Sequence, residues 1–519
     1  MSPPTLSQWL LAELNQTAPG SALPRYRSVY EALRKAIMSG RLSAGSRLPS
    51  TRLLAHELAL SRNTALAAFD QLLAEGYVSA TLGSGTYVND LSINSGSSSF
   101  RKSEPTRDKP PPGGFFYAGS SASRTSRPPA AAAVRQAPLS RRGQRILDAG
   151  AVAEQAIQPF VPGMDDFSVF PLKLWQRLQN KYWRDGRAQL LDYDTAGGYP
   201  PLRAAIADYL NVSRSVNVTA DQVLITAGTQ QSLTLCAQML ANAGHLAWIE
   251  NPGYWGARKA FEACDLQLRP VAVDREGIHP DAADLATQPR LIYVTPSHQY
   301  PTGVVMSLSR RRLLLEYAAA RRTWILEDDY DSEFRYSGRP LSSLQGLDTH
   351  DRVIYLGTFS KILYPGIKVG YMIVPDALVA PFRTALHDLQ RPGQVMLQAA
   401  LADFIGQGHF ATHVRKVRQV YSERRELLVR HLQPLLRKRA AITAEASGMH
   451  LVIELPDRID DVQLARHAAA QGLVVRPLSG YYIGQPDRKG LMVGYAYMPT
   501  ERIAFFGKLL GTVIKNGAA

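Results

Sequence analysis

Apolar residues recur every fourth position at Val29, Leu33 and Ile37, and this spacing, closed by Ser39-Gly40, predicts a first helix and its C-cap. Leu54 and Leu58 predict a second, short helix after Leu48-Pro49-Ser50-Thr51, whose hydroxyls suit an N-cap. Ser61 caps a third helix, with Leu66, Phe69, Leu72 and Leu73 as its apolar stripe up to Glu75-Gly76. Residues 77–88 then read as two strands around the glycine turn Gly83-Ser84-Gly85. A short helix, a tight turn, a longer helix and a hairpin together predict a helix-turn-helix with a wing.

The periodicity then stops. Residues 89–145 run through Ser-Gly-Ser-Ser-Ser, Lys-Pro-Pro-Pro-Gly-Gly and Arg-Pro-Pro-Ala-Ala-Ala-Ala with no lasting repeat. Such a stretch buries too little to offset its ordering entropy, and a flexible linker is expected. From 146 to 515 strand-like and helix-like patterns alternate, which predicts an α/β domain with a mostly parallel sheet. Val223–Thr226 reads as a strand ending at Ala227-Gly228-Thr229-Gln230, where a helix through Leu233 and Leu240 begins. Ala247–Tyr254 and Leu291–Gly303 are further strands leading into turns. Side chains from several such turns can meet at the carboxyl edge of one sheet.

Composition narrows the class. A chain of 519 residues, 45% apolar and 20% charged, is long enough for two or more domains, one with a substantial core. It has no apolar run of membrane-spanning length, and its N-terminus lacks the basic start and apolar stretch of a secretory leader, so a cytoplasmic protein without a membrane partner is expected. Cys236 and Cys264 are too few and too far apart for a zinc arrangement; no metal is expected, and both are read as small core residues in a reducing compartment. The net charge of +15 is uneven: residues 89–150 hold ten Lys and Arg against four acids, whereas residues 1–88 hold eight against five. That basic excess suits either phosphate contact by the linker arginines or simple extension and solubility.

The chemistry concentrates on Lys361, in Gly357-Thr-Phe-Ser-Lys-Ile-Leu-Tyr-Pro-Gly366, and on Asp328, 33 residues upstream after the apolar run Trp324-Ile325-Leu326. An amine among small hydroxyl residues suits Schiff-base chemistry, and an acid at a neighbouring strand end can hold the far side of a charged heteroaromatic ring. Pyridoxal phosphate meets both requirements. Gly228, Thr229 and Gln230 at a helix start offer backbone N–H groups to a phosphate.

Residues 24–88 resemble the winged helix-turn-helix of GntR-type bacterial regulators. The resemblance rests on Leu48-Pro-Ser-Thr-Arg52, Ser61-Arg-Asn-Thr64, Leu72-Leu-Ala-Glu-Gly-Tyr-Val78 and Gly83-Ser-Gly-Thr-Tyr-Val88. It implies that Arg52, Ser61, Arg62, Asn63 and Thr64 form the DNA-facing start of the recognition helix and that Gly85 lets the wing approach the minor groove. Ala65-Leu66-Ala67-Ala68 departs from the family by leaving the helix middle apolar.

Residues 145–515 resemble a fold-type I aminotransferase, and the whole chain resembles the MocR subfamily of pyridoxal-phosphate-dependent regulators. By that likeness Lys361 forms the Schiff base, Asp328 pairs with the pyridinium nitrogen, Tyr330 bonds the ring hydroxyl and Tyr254 stacks on the ring. Gly228, Thr229, Gln230, Thr358, Ser360 and Lys368 receive the phosphate, and Tyr193 reaches the phosphate in a neighbouring subunit. The expected partners are a double-stranded DNA operator, a second copy of the chain, and an effector that is an amino compound or pyridoxal phosphate itself. The rival expectation is a working aminotransferase carrying a DNA-binding appendage.

Three positions depart from the enzymes. Lys368 stands where the family has arginine, Tyr300-Pro-Thr-Gly303 replaces Asn-Pro-Thr-Gly, and Met492 takes the place of the arginine that clamps a substrate carboxylate. Loss of that clamp predicts weak turnover at most, with Arg476 as an alternative anion contact.

Overall fold

The computed structural model describes residues 9–10, 25–38, 41–74, 77–81, 85–88, 139–148, 158–185, 188–193, 197–214, 216, 218–336, 342–390, 393–436, 440–442 and 447–517. The chain forms two compact units, Met1–Pro128 and Pro129–Ala519.

In the first unit, helices Arg25–Met38, Thr51–Glu57 and Arg62–Ala74 precede strands β1 (Val78–Thr81) and β2 (Gly85–Val88), which pair antiparallel. The four-residue spacing does what the sequence predicts, because Val29, Leu33 and Ile37 pack with Leu54, Leu58, Phe69 and Leu72 in one core closed by Val78 and Val88. Ser50 accepts from the Leu53 N–H at 3.2 Å and Ser61 from the Thr64 N–H at 3.1 Å, so both hydroxyls cap helices as expected. The C-cap expected at Ser39-Gly40 and most of the wing turn, residues 82–84, lie outside the described residues.

The expected linker also falls largely outside them, but its end does not. Arg141–Asp148 is helical and packs against helix Trp255–Ala263, with Arg142 Nε donating to Asp265 at 3.0 Å. This helix thus overlaps the last residues of the stretch read as linker. The sequence shows little apolar periodicity there because this helix docks partly through a charged side chain.

The second unit is built on an eight-stranded sheet in the order β3-β10-β9-β8-β7-β4-β5-β6. Its strands are β3 (Val223–Thr226), β4 (Leu246–Asn251), β5 (Gln267–Asp274), β6 (Gly277–Ile278), β7 (Leu291–Val294), β8 (Trp324–Asp329), β9 (Val353–Thr358) and β10 (Gly370–Ile373). The central β5, β4, β7, β8 and β9 run parallel, and β10 inserts antiparallel between β9 and β3. β3, β7, β8 and β9 therefore end at one edge. Both faces of this sheet are covered, which is why β3 and β7 read as unbroken apolar runs rather than alternating ones.

A second, antiparallel sheet follows in the order β11-β12-β14-β13, made of β11 (Ala441–Ile442), β12 (His450–Leu455), β13 (Arg476–Pro477) and β14 (Lys489–Gly494). Helices His409–Leu436 and Thr500–Gly517 pack together beside it. Cys236 is buried as expected, whereas Cys264 is half-buried. Among the described residues no helix is long and apolar enough to cross a membrane, and no group of His, Cys, Asp and Glu is arranged to hold a metal.

Candidate cofactor pocket and DNA-binding surface

The carboxyl edge of the large sheet and the starts of β12 and β13 in the small one border a cavity of about 350 Å³, in the range of small-molecule sites. Lys361, Asp328, Tyr330, Tyr254, Gly228, Thr229, Gln230, Thr358, Ser360 and Lys368 all line it. Residues spread over 140 positions of sequence are thus brought to one place by the parallel strand ends.

β8 shows how the carboxylate is set. Its three consecutive acids are buried, but they point alternately to opposite faces. Glu327 accepts the Leu344 and Gln345 N–H groups at 2.8 and 2.9 Å, and Asp329 takes the Arg214 guanidinium, Nε at 2.9 Å. Asp328 faces the pocket instead. Its Oδ2 accepts from the Tyr293 hydroxyl at 2.8 Å, while Oδ1 is buried without a partner, and no cation pairs with it among the described residues. Burial pushes its pKa up to about 7, against the lowering effect of the Tyr293 hydrogen bond. An orphaned buried acceptor is costly and calls for a donor.

The lysine is presented by its neighbours. Phe359, Ile362 and Leu363 are buried around it, which turns Lys361 toward the pocket, where Nζ donates to the Gly163 carbonyl at 2.9 Å. Asp165, two residues further, has both carboxyl oxygens buried and unpartnered; burial raises its pKa to about 8 against the pull of Lys361.

Gly228 sits at φ +107 as N-cap of helix Thr229–Leu240 and supplies no capping side chain, so the first-turn N–H groups face the pocket uncapped. Gly370 makes the approach possible, since a Cβ there would meet the Gly228 Cα at 2.7 Å. The Gln230 amide donates to the Tyr254 hydroxyl at 3.2 Å, which ties the flat ring to the helix start. Lys368 is exposed with φ +49 at the end of a short 3₁₀ turn.

Tyr330 Oη lies 3.0 Å from His298 Nδ1, which in turn lies 2.8 Å from Asp331 Oδ2. Tyr300 packs edge-on against Tyr254, Tyr330, Tyr481 and His450, with centroids 5.5–5.8 Å apart, so the Asn-to-Tyr exchange fills the pocket wall with an aromatic ring. Tyr193 is the exception among the expected residues. It is 60% exposed and lines a separate surface groove with Trp183 and Leu191.

Sequence reasoning passed over Gly163, Tyr293, Trp255 and His450, all of which line the pocket. His450 offers its Nε2 to the Pro301 carbonyl at 2.9 Å, and burial holds its pKa at about 3, so it is neutral. Only Tyr293 carried a sequence signal, as the one polar group in the apolar run Leu291–Val294.

In the first unit Arg52, Ser61, Arg62 and Asn63 are exposed at the helix starts, while Thr64 is half-buried, its hydroxyl 2.8 Å from that of Ser61. Leu66 is 44% exposed, so the apolar helix middle still offers a group that can touch a thymine methyl. Arg47 was not anticipated; it bridges to Tyr87 at the wing base. Gly85 has φ +120, and a Cβ there would meet Arg47 Nε at 2.6 Å. The end of Arg47 is flexible enough to swing aside, so the backbone strain decides: Gly85→Ala is expected to destabilise this unit by about 1–3 kcal/mol, read as a lower melting temperature.

The comparisons agree with this geometry. Residues 173–504 match the family described as aminotransferase class I and II, and residues 25–88 match bacterial regulatory proteins of the gntR family. The chain is 37% identical over 484 residues to the protein described as "Probable rhizopine catabolism regulatory protein MocR" from Rhizobium meliloti, spanning 91% of this chain and 90% of that one. It is 29% identical to the HTH-type pyridoxine biosynthesis transcriptional regulator PdxR of Corynebacterium glutamicum, over 90% of each. The solved multiple substrate aminotransferase of Thermococcus profundus matches 73% of this chain and 98% of its own length, with a TM-score of 0.66 at 26% identity. The chain belongs to the MocR-type transcriptional regulators, in which a gntR-family DNA-binding unit precedes a class I and II aminotransferase unit.

Proposed function

We propose that this regulator holds pyridoxal phosphate between Lys361 and Asp328 and uses its occupancy, or its reaction with an amino compound, to set affinity for a DNA operator. The observation that carries the reading is the buried, unpartnered Oδ1 of Asp328 in the same cavity as the Lys361 amine. A protonated ring nitrogen satisfies that oxygen and supplies the cation the carboxylate lacks. When bound, the pyridoxal group provides an aldehyde for amines and a ring that withdraws electrons.

The chain's own residues do the rest. The uncapped helix start at Gly228, the Thr358 and Ser360 hydroxyls and the Lys368 ammonium suit a phosphate of nearly two negative charges. Lys368 contributes a point charge rather than a fork, so phosphate orientation falls to the backbone. Tyr254 supports the ring face and Tyr330 offers its hydroxyl to the ring oxygen.

A homodimer completes the site in this reading. Trp183, Leu191 and Tyr193 are 64%, 67% and 60% exposed in one groove, an apolar surface that a second copy would cover while placing Tyr193 near the neighbouring phosphate. Two recognition helices would then read two half-sites. The relative described as regulating pyridoxine biosynthesis favours the cofactor itself as one effector.

The test is a fluorescence titration of labelled DNA from beside the gene, with and without pyridoxal phosphate, at two salt concentrations. Affinity is expected to change several-fold with the cofactor and to fall steeply with salt; Arg62→Ala should weaken binding and reduce the salt slope by about one. Identical isotherms with and without cofactor would overturn the sensing role.

A further inference from the structure

The strand exchange at Arg476 has a use. β13 and β14 pair antiparallel with Arg476 directly opposite Met492. Opposed residues of antiparallel neighbours project to the same face, so the guanidinium stands one strand over from the position at which the family clamps a carboxylate. Met492 itself is fully buried, whereas Arg476 is half-buried and lines the pocket.

Its surroundings lack a counter-ion. Arg476 lies beside the hydroxyls of Tyr300 and Tyr481, which are 3.3 Å from each other and interact favourably with its charge, and it pairs with no carboxylate among the described residues. His450 is close by and neutral, so it neither repels nor neutralises an incoming charge. A planar fork has five N–H donors, more than two phenols can occupy. The phosphate-binding turns all come from the large sheet, while Arg476 comes from the small one. The cofactor's own phosphate is therefore provided for elsewhere.

Building on the cofactor reading above, we infer that Arg476, steadied by Tyr300 and Tyr481, is the anion anchor of the effector site, and that the effector is a primary amine bearing an acid group. The amine end meets the cofactor at Lys361; the acid end takes two N–H donors of the guanidinium. Tyr300 links both halves, because the residue that replaces the family's asparagine is the one that holds the relocated arginine. An arginine buried only for packing would show no preference among ligands.

The experiment uses the full-length protein loaded with pyridoxal phosphate. Its visible absorbance is titrated with L-alanine, with 4-aminobutanoate and with n-butylamine, and binding is checked by calorimetry. At least one acid-bearing amine is expected to bind ten times or more tightly than n-butylamine. Arg476→Met should reduce that ratio to about one while leaving the cofactor absorbance intact, which also certifies folding, and Arg476→Lys should keep part of the preference. Equal binding of all three probes to the unaltered protein, no response to any of them, or an undiminished ratio in Arg476→Met overturns the anion anchor alone. Failure of the unaltered protein to take up the cofactor overturns the reading beneath it as well.

Discussion

Lys361→Ala is expected to abolish the visible absorbance that the protein gains with pyridoxal phosphate and to leave its DNA affinity indifferent to the cofactor. In the folded chain the lysine amine has one hydrogen-bond acceptor, the Gly163 carbonyl, and borders the cavity that holds Asp328. Among the described residues, truncating it leaves Lys368 as the one lysine lining the pocket, and Lys368 is exposed. Lys368 is held by a left-handed turn at a different place and should not substitute. The side chain carries no packing that the fold needs, since its neighbours Phe359, Ile362 and Leu363 supply the buried surface. Thermal stability without cofactor should therefore change by less than about 1 kcal/mol. Reduction with borohydride followed by peptide mass mapping checks the prediction: the modified peptide in the unaltered protein must be the one containing Lys361, and the variant must show none.

Asp328→Ala is expected to weaken cofactor affinity by about a hundredfold or more. Removing one partner of a buried charge pair costs about 3–5 kcal/mol, and each 1.36 kcal/mol is a factor of ten. Without cofactor the same change has the opposite sign. Burial lifts Asp328, Glu250, Glu327 and Glu333 to about 7, so each favours folding below the ordinary carboxyl range near 4 and loses that contribution as pH rises through 7. The cofactor-free protein should melt at progressively lower temperature between pH 5 and pH 8. Asp328→Asn, neutral throughout, should flatten that slope, and so should bound pyridoxal phosphate, which gives the carboxylate a cation. Melting curves across this pH range, with and without cofactor, are the check. A slope that is identical in Asp328→Asn and the unaltered protein would show that Asp328 is not the strained group.

The winged unit was legible because each helix carries its own core stripe and its own cap within a few residues, as Ser50 and Ser61 show. The pocket was legible where its residues lie at strand ends, as Asp328 lies in the last residues of β8 and Lys361 comes just after β9. Other parts depended on distant chain. Gly163 reaches Lys361 from almost 200 residues upstream, and Arg476 reaches Tyr300 across two sheets, contacts that no local period encodes. The pairing of Arg476 with Met492 is a matter of register, which turns on where the β13–β14 connection closes. The helix Arg141–Asp148 escaped notice because four of its eight residues are charged and only Ile146 and Leu147 are apolar, so it carries no clear apolar stripe. Tyr193 stands apart from the pocket, in a groove with Trp183 and Leu191; the proposed homodimer would bring it to a neighbouring subunit's site.

Crystals of the full-length protein grown with pyridoxal phosphate test the central claim most directly. The account predicts continuous density from Lys361 Nζ to the ligand, the ring nitrogen within hydrogen-bonding distance of Asp328 Oδ1, and the phosphate at the Gly228 helix start. A vacant cavity, or a ligand bound with Lys361 still turned to Gly163, would contradict it.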